Sequence, residues 1–149
     1  MDFRTELAMK LIVYCDQELE IGQTYTGVRR VVPIIGGTFE GPGVNGIVLP
    51  GGADWNLTRS DGTGEVWARY TLQANDGALI SVINQGKSYI KSLTKKNDKM
   101  GTPEEDVYIY TTPSFEVSGE KYSWLNTNMF IGTLEPHPKG VQLHFFRIV

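Results

Sequence analysis

Asp54, Trp55, Glu65, Arg69, Asn84, Thr111, Thr112, Tyr122, Trp124 and Asn126 interrupt segments that are otherwise apolar. A buried charge without a partner is costly, so such residues are either paired on a solvent face or put to use. Two kinds of chemistry fit them. Asp54 or Glu65 can serve as a general base, with Arg69, Tyr70 or Asn84 stabilising an enolate or oxyanion. Alternatively Asp54, Trp55, Arg69, Asn84, Trp124 and Asn126 line a ligand site, in which Arg69 takes an anion and the indoles take the carbon skeleton. The plain alternative is a surface ion pair between Glu65 and Arg69, with Trp55 and Trp124 filling the core.

Other patterns carry less. Gly41-Pro42-Gly43-Val44-Asn45-Gly46 spells the dinucleotide fingerprint. That fingerprint needs a following helix to receive the pyrophosphate, and the β-branched run Ile47-Val48-Leu49 follows instead. His137 and His144 lack the carboxylate and histidine spacing of a metal site, and His137 sits in a proline-rich turn. No Gly-x-Ser-x-Gly elbow marks an activated serine. Cys15 is the only cysteine, which excludes an intrachain disulfide and a cysteine-type zinc site. Neither a metal nor a cofactor is expected.

With 149 residues, 40% of them hydrophobic, and a net charge of −3, the chain reads as one globular domain over residues 1–149. The acidic balance argues against a nucleic-acid surface. Lys87, Lys91, Lys95, Lys96 and Lys99 gather locally, but such a run is ordinarily a solvated face. No segment approaches the roughly 20 apolar residues of a membrane helix, and the amino-terminal residues do not resemble a signal peptide. A cytoplasmic protein with no membrane partner is expected. The sequence does not specify an oligomeric state.

The elements that must position these residues are strands. Leu7, Met9, Leu11, Val13 and Cys15 alternate with polar neighbours, and Val28 to Ile35 and Val44 to Leu49 are β-branched runs separated by glycine and proline. Asn75-Asp76-Gly77-Ala78 predicts a tight two-residue hairpin joining Glu65 to Gln85. With Asn75 opposite Ala78, Gln73 faces Ile80, Thr71 faces Val82 and Arg69 faces Asn84, which puts Arg69 and Asn84 on one side of the ribbon. Further hairpins are expected at Ser60 to Gly64 and at His137 to Gly140. A short helix is expected over Ser88 to Lys96, another turn over Gly119 to Leu125, and the least ordered segment over Gly86 to Asp106. The fold class is all-β: a single antiparallel β-barrel of about eight to ten strands with one or two short helices, closed because a flat sheet would leave adhesive edges.

Several stretches together resemble a known family. They are Arg30 to Pro42, Leu49 to Trp55, Ala68 to Leu72, Asp76 to Ile80, Thr111-Thr112-Pro113 with Phe115-Glu116, and Tyr122 to Asn126. Over most of the chain the sequence is similar to the uncharacterised protein family three-one-one, also designated domain of unknown function three-two-three-seven. The resemblance implies a compact antiparallel barrel of bacterial type and assigns no catalytic residue. The family pattern often has an acid where this chain has Trp67 and an arginine where it has Thr127, so ligand preference is expected to differ here. A recurrent Pro50-Gly51-Gly52 corner ahead of Asp54 favours a site over mere chain reversal.

The functional expectation is a barrel that binds a small polar or carboxylated metabolite. The alternatives are a cofactor-free isomerase, lyase or lactone-type enzyme, and an interaction module with a solid interior.

Overall fold

A computed structural model describes residues 1–95 and 103–149, and it confirms the barrel. The strands are β1 (Thr5–Cys15), β2 (Leu19–Thr24), β3 (Gly27–Glu40), β4 (Gly46–Val48), β5 (Gly52–Thr58), β6 (Gly64–Ala74), β7 (Leu79–Lys95), β8 (Pro103–Val117), β9 (Phe130–His137) and β10 (Gly140–Ile148). One short helix, α1 (Trp124–Thr127), precedes β9. Among the described residues every pairing is antiparallel. The sheet closes where β1 pairs with both β10 and β3, giving an eight-stranded barrel with two extra strands.

The strands β4 and β5 occupy one place in the wall, between β3 and β6, and the Pro50-Gly51-Gly52 corner divides them. Gly51 has φ +113°, and its amide donates to the Ile34 carbonyl at 3.2 Å. A Cβ on Gly52 would collide with the Arg69 carbonyl and the Tyr70 side chain, so only glycine lets β5 approach β6 there. The corner is a kink in a barrel strand that resets its register, and it delivers Asp54 two residues later.

The two halves of the interior differ. At the α1 end, Phe39, Leu72, Ile80, Val117, Leu125, Phe130 and Phe145 are all buried, and the Trp124 ring tilts against Phe130 with centroids 6.2 Å apart. Tyr122, Trp124 and Leu125 therefore plug that end. Toward the other end the inward positions include Asp54, Asn56, Asn84 and Thr111.

Two expectations are corrected. The segment Ser88–Lys95 is strand, not helix: it pairs with β8 as far as Lys95 against Pro103, with a bulge between Ile90 and Ser92. The described parts of 86–106 are thus a ribbon, and residues 96–102 of that segment lie outside the described residues. The hairpin between β6 and β7 forms, but its loop has three residues. The Ala74 amide bonds to the Ala78 carbonyl and the Gly77 amide to the Ala74 carbonyl, both at 2.9 Å, with Gly77 at φ +93°. Gln73 consequently faces Leu79, Arg69 faces Ile83, and Ala68 faces Asn84. A slip of one residue turns every side chain of one strand to the opposite face. Hence Arg69 and Asn84 lie on opposite sides of the wall.

Candidate functional site

The corrected register builds one rung around the wall from Val32 through Asp54, Ala68 and Asn84 to Pro113. Ala68, Asn84 and Pro113 are buried, so this rung faces the interior. Asp54 and Asn84 stand on either side of Ala68, whose side chain is small. At about 4.8 Å per strand their backbones are about 10 Å apart. The neighbouring rung runs Val66, Gly86, Thr111, Gly132. Added Cβ atoms on Gly86 or Gly132 would collide with the Thr111 side chain. Small residues thus surround both buried polar side chains.

Asn84 and Thr111 are each 1% exposed and Tyr70 is 4% exposed. The Asn84 Oδ1, the Thr111 Oγ1 and the Tyr70 Oη have no hydrogen-bond partner among the described residues. They come from adjacent strands, β7, β8 and β6. A buried polar atom left without a partner costs about 1–3 kcal/mol, and three within one wall call for an explanation.

Asp54 is held differently. Between the Asp54–Ala68 and Leu57–Glu65 pairs the β5–β6 ladder is interrupted. The Asp54 Oδ1 accepts the Trp67 amide there at 2.9 Å, and Arg29 Nη1 donates to the Trp55 carbonyl at 2.9 Å. The carboxylate substitutes for a missing rung bond. Its second oxygen has only Asn56 Nδ2 at 3.5 Å. Burial raises the carboxyl above the ordinary aspartate range, opposed by the Trp67 amide, Asn56 and the charge of Arg29. Burial also raises the Cys15 thiol, with a contribution from the Asp54 charge, and raises the Tyr70 phenol strongly, with a contribution from Cys15. These three groups therefore share one region of the interior.

The remaining sequence candidates do not converge there. Arg69 is exposed on the outer face near Trp55, Gly52 and Ser81. Glu65 also faces outward, 3.7 Å from Arg59 and opposite Lys87, so its expected pairing with Arg69 is not the one found. Trp55 is 39% exposed and meets Trp67 edge to face at 5.7 Å. Trp124 belongs to the plug. Asn126 clamps the end of β8, accepting from the Val117 amide and donating to its carbonyl, each at 2.9 Å. His137 is a turn residue, its Nδ1 accepting the Lys139 amide at 3.1 Å. Of the six sequence-chosen binding residues only Asp54 and Asn84 lie on the inward rung of the polar half. Thr111 and Tyr70 complete the set. Thr111 is legible in retrospect as a hydroxyl at an inward position between Ile109 and Pro113, whereas nothing in the sequence sets Cys15 beside Asp54.

A second concavity of about 940 Å³ lies on the outer face, walled by Trp67, Tyr89, Tyr108, Tyr110 and Ile131, with Arg59 and Lys87 at its sides. Tyr89 stacks on Tyr108 at 4.6 Å, and Tyr108 meets Tyr110 edge to face at 4.9 Å. Thr111, whose Oγ1 is one of the unpartnered buried atoms, also lines it.

As a whole the chain is similar to several known proteins. A UPF0311 protein of Rhodopseudomonas palustris (strain TIE-1) is 35% identical over 130 residues, which cover 86% of this chain and 85% of that protein. The crystal structure of a β-barrel-like protein from Acinetobacter baumannii AYE matches with a TM-score of 0.89 at 33% identity, covering 100% of this chain and 98% of that one. A hydroalkoxylation enzyme of Penicillium herquei is 29% identical over 111 residues, covering 74% of this chain and 60% of the enzyme. A family model matches residues 3–148, and the chain accordingly belongs to the family described as protein of unknown function (DUF3237).

Proposed function

We propose that the polar half of the barrel binds a small, uncharged molecule bearing hydroxyl or carbonyl groups. The observation that carries this reading is the trio of unpartnered, buried polar atoms of Tyr70, Asn84 and Thr111 on adjacent strands. A ligand hydroxyl or carbonyl would supply the partners they lack. A carboxylated ligand is disfavoured, because Arg69 lies outside and the inward Arg30 is within 4 Å of Glu18 and Glu20. The test is a thermal-shift and calorimetric screen of phenols, lactones, ketones and polyols against wild type, Asn84→Leu and Thr111→Val. Compounds that bind wild type and lose at least tenfold affinity in both variants are expected. Hits that bind the variants equally, or none at all, would remove the site.

A second observation extends this to catalysis. Asp54 keeps one oxygen fixed and the other weakly engaged, and burial raises its carboxyl, as suits a group that passes a proton. Hydroalkoxylation, named for the Penicillium herquei relative, adds an O–H across a carbon–carbon double bond and needs such a transfer. Cofactor-free proton transfer on an unsaturated alcohol or phenol is the corresponding proposal here. In Asp54→Asn, turnover of a substrate found by the screen should fall by at least 100-fold with binding retained; unchanged turnover would exclude Asp54 from the chemistry.

A further inference from the structure

The Pro50-Gly51-Gly52 corner shapes the outside of the barrel as well as the inside. The Leu49 amide donates to the Thr71 carbonyl at 2.9 Å, and pairing with β6 resumes at Ala53 opposite Arg69. Between these points Gly51 turns at φ +113°, with nothing within 4 Å of the place a Cβ would take. A recess of about 310 Å³ opens there on the outer face, lined by the corner itself together with Trp55, Arg69, Thr71 and Ser81. That volume is in the range of small-molecule sites.

Its polar groups are those of an anion site. Thr71 and Ser81 are cross-strand partners and Arg69 stands two residues before Thr71, so the three side chains leave one face of the wall. No carboxylate among the described residues lies within 4 Å of the Arg69 guanidinium, although Arg30 and Arg59 each have two. A guanidinium fork receives a carboxylate through two parallel hydrogen bonds, and hydroxyls beside it can donate to the same oxygens. The exposed indole of Trp55 adds an apolar plane at the side of the recess. Glu116 stands opposite Ser81 on β8, and its charge disfavours a dianion or polyanion beside it. One cation, two hydroxyls and one ring together suit a single carboxylate carried on a flat apolar body.

We propose that this recess binds an aromatic monocarboxylate, with Arg69 pairing the carboxylate, Thr71 and Ser81 donating to it, and Trp55 packing against the ring. The recess lies on the opposite side of the wall from Asn84, so it is independent of the ligand proposed for the interior.

Calorimetric titration of the full chain with benzoate tests it. Wild type is expected to bind benzoate with a dissociation constant below about 1 mM, and inorganic phosphate at least tenfold more weakly. Arg69→Gln should lose at least tenfold in affinity for benzoate. Arg69→Lys keeps the charge without the fork and should lose at least threefold. Trp55→Leu should lose at least fivefold, while Asn84→Leu should bind benzoate as wild type does. Absence of benzoate binding by wild type would overturn the proposal, as would binding that survives either Arg69 change. Phosphate bound as tightly as benzoate would overturn it too, by showing an adventitious ion only. Binding lost in Asn84→Leu but kept in Arg69→Gln would overturn it in favour of the interior, so the two sites fail separately. If Trp55→Leu fails to fold, the exposed Arg69 variants decide alone.

Discussion

Burial and hydrogen bonding act on Asp54 in opposite directions, and burial prevails. Its folded-state pKa lies above the ordinary unfolded value near 4, so the folded chain holds this proton more tightly than the unfolded chain does. The associated stability is fully present below that ordinary value. It is lost as pH rises through the raised folded pKa, leaving the ionised carboxylate as a standing cost at neutral pH. Asp54→Asn keeps an oxygen for the Trp67 amide and removes the charge. The variant should melt a few degrees higher than wild type at pH 7, with the gain shrinking as pH falls toward about 4 and constant below it; a lower melting temperature at pH 7 would show that the charge is needed structurally. A gain in stability together with lost turnover is the pattern of a functional group held at the expense of the fold. Asp76 behaves in the opposite sense. It accepts from Lys121 at 2.8 Å, the Ala78 amide at 3.1 Å and Tyr122 at 3.0 Å, with the Lys121 bond the largest influence lowering its carboxyl to about 2. Its contribution is present above about pH 4 and is lost as pH falls through about 2. Melting curves of Asp76→Asn should lie below wild type at pH 7 and converge with it near pH 2.

At the scale of elements, most strands were readable from alternation, but the register of one hairpin was not. Asp76-Gly77 suggests a two-residue turn, and such turns need positive φ at both central positions. Among the described residues none other than glycine has positive φ, so Asp76 is not one of a primed pair. The chain instead uses three loop residues with Gly77 in the left-handed conformation, and the Asp76 bonds to α1-side residues Lys121 and Tyr122 hold that loop in place. The deciding contacts are 45 and 46 residues away, beyond the reach of a local turn rule. The consequence for the site was complete: the slip exchanged the faces of Ile83 and Asn84, and with it the apparent pairing of Asn84 with Arg69. The ribbon was misread for a related reason, since Tyr89, Ile90 and Leu93 fit a helical face while the opposite strand supplies the hydrogen bonds that decide for β-structure. Gly77 has open space around its Cα, so a side chain there meets only the backbone penalty. Gly77→Val should cost about 1–2 kcal/mol, from the strain of a β-branched residue at positive φ. An unchanged melting temperature would mean that the loop relaxes to another turn.

For the molecule as a whole, the division between a packed end and a polar end predicts an uneven distribution of stability. Around the plug, Met9, Leu11, Leu72, Ile80, Phe130 and Phe145 have essentially no exposure, and their strands are paired on both sides. Among the described residues the strand β2 is paired only with β3, and it carries the exposed Leu19 and Ile21, which contribute little burial. Local opening follows such differences, because a segment with few buried contacts can separate without disrupting the core. Amide exchange should therefore be slowest in residues 9–13 of β1, 70–73 of β6 and 143–146 of β10, and faster by at least 100-fold in Leu19–Thr24. The Asp54–Asn84 rung should fall between these limits, since its strands are paired but polar side chains interrupt the apolar interior there. Binding a hydroxylated ligand to Tyr70, Asn84 and Thr111 should slow exchange in that rung and leave β1 unchanged. Protection of β2 equal to that of β1 would show instead that stability is uniform around the barrel, and the polar half would then be a packed wall rather than a place kept open for a ligand.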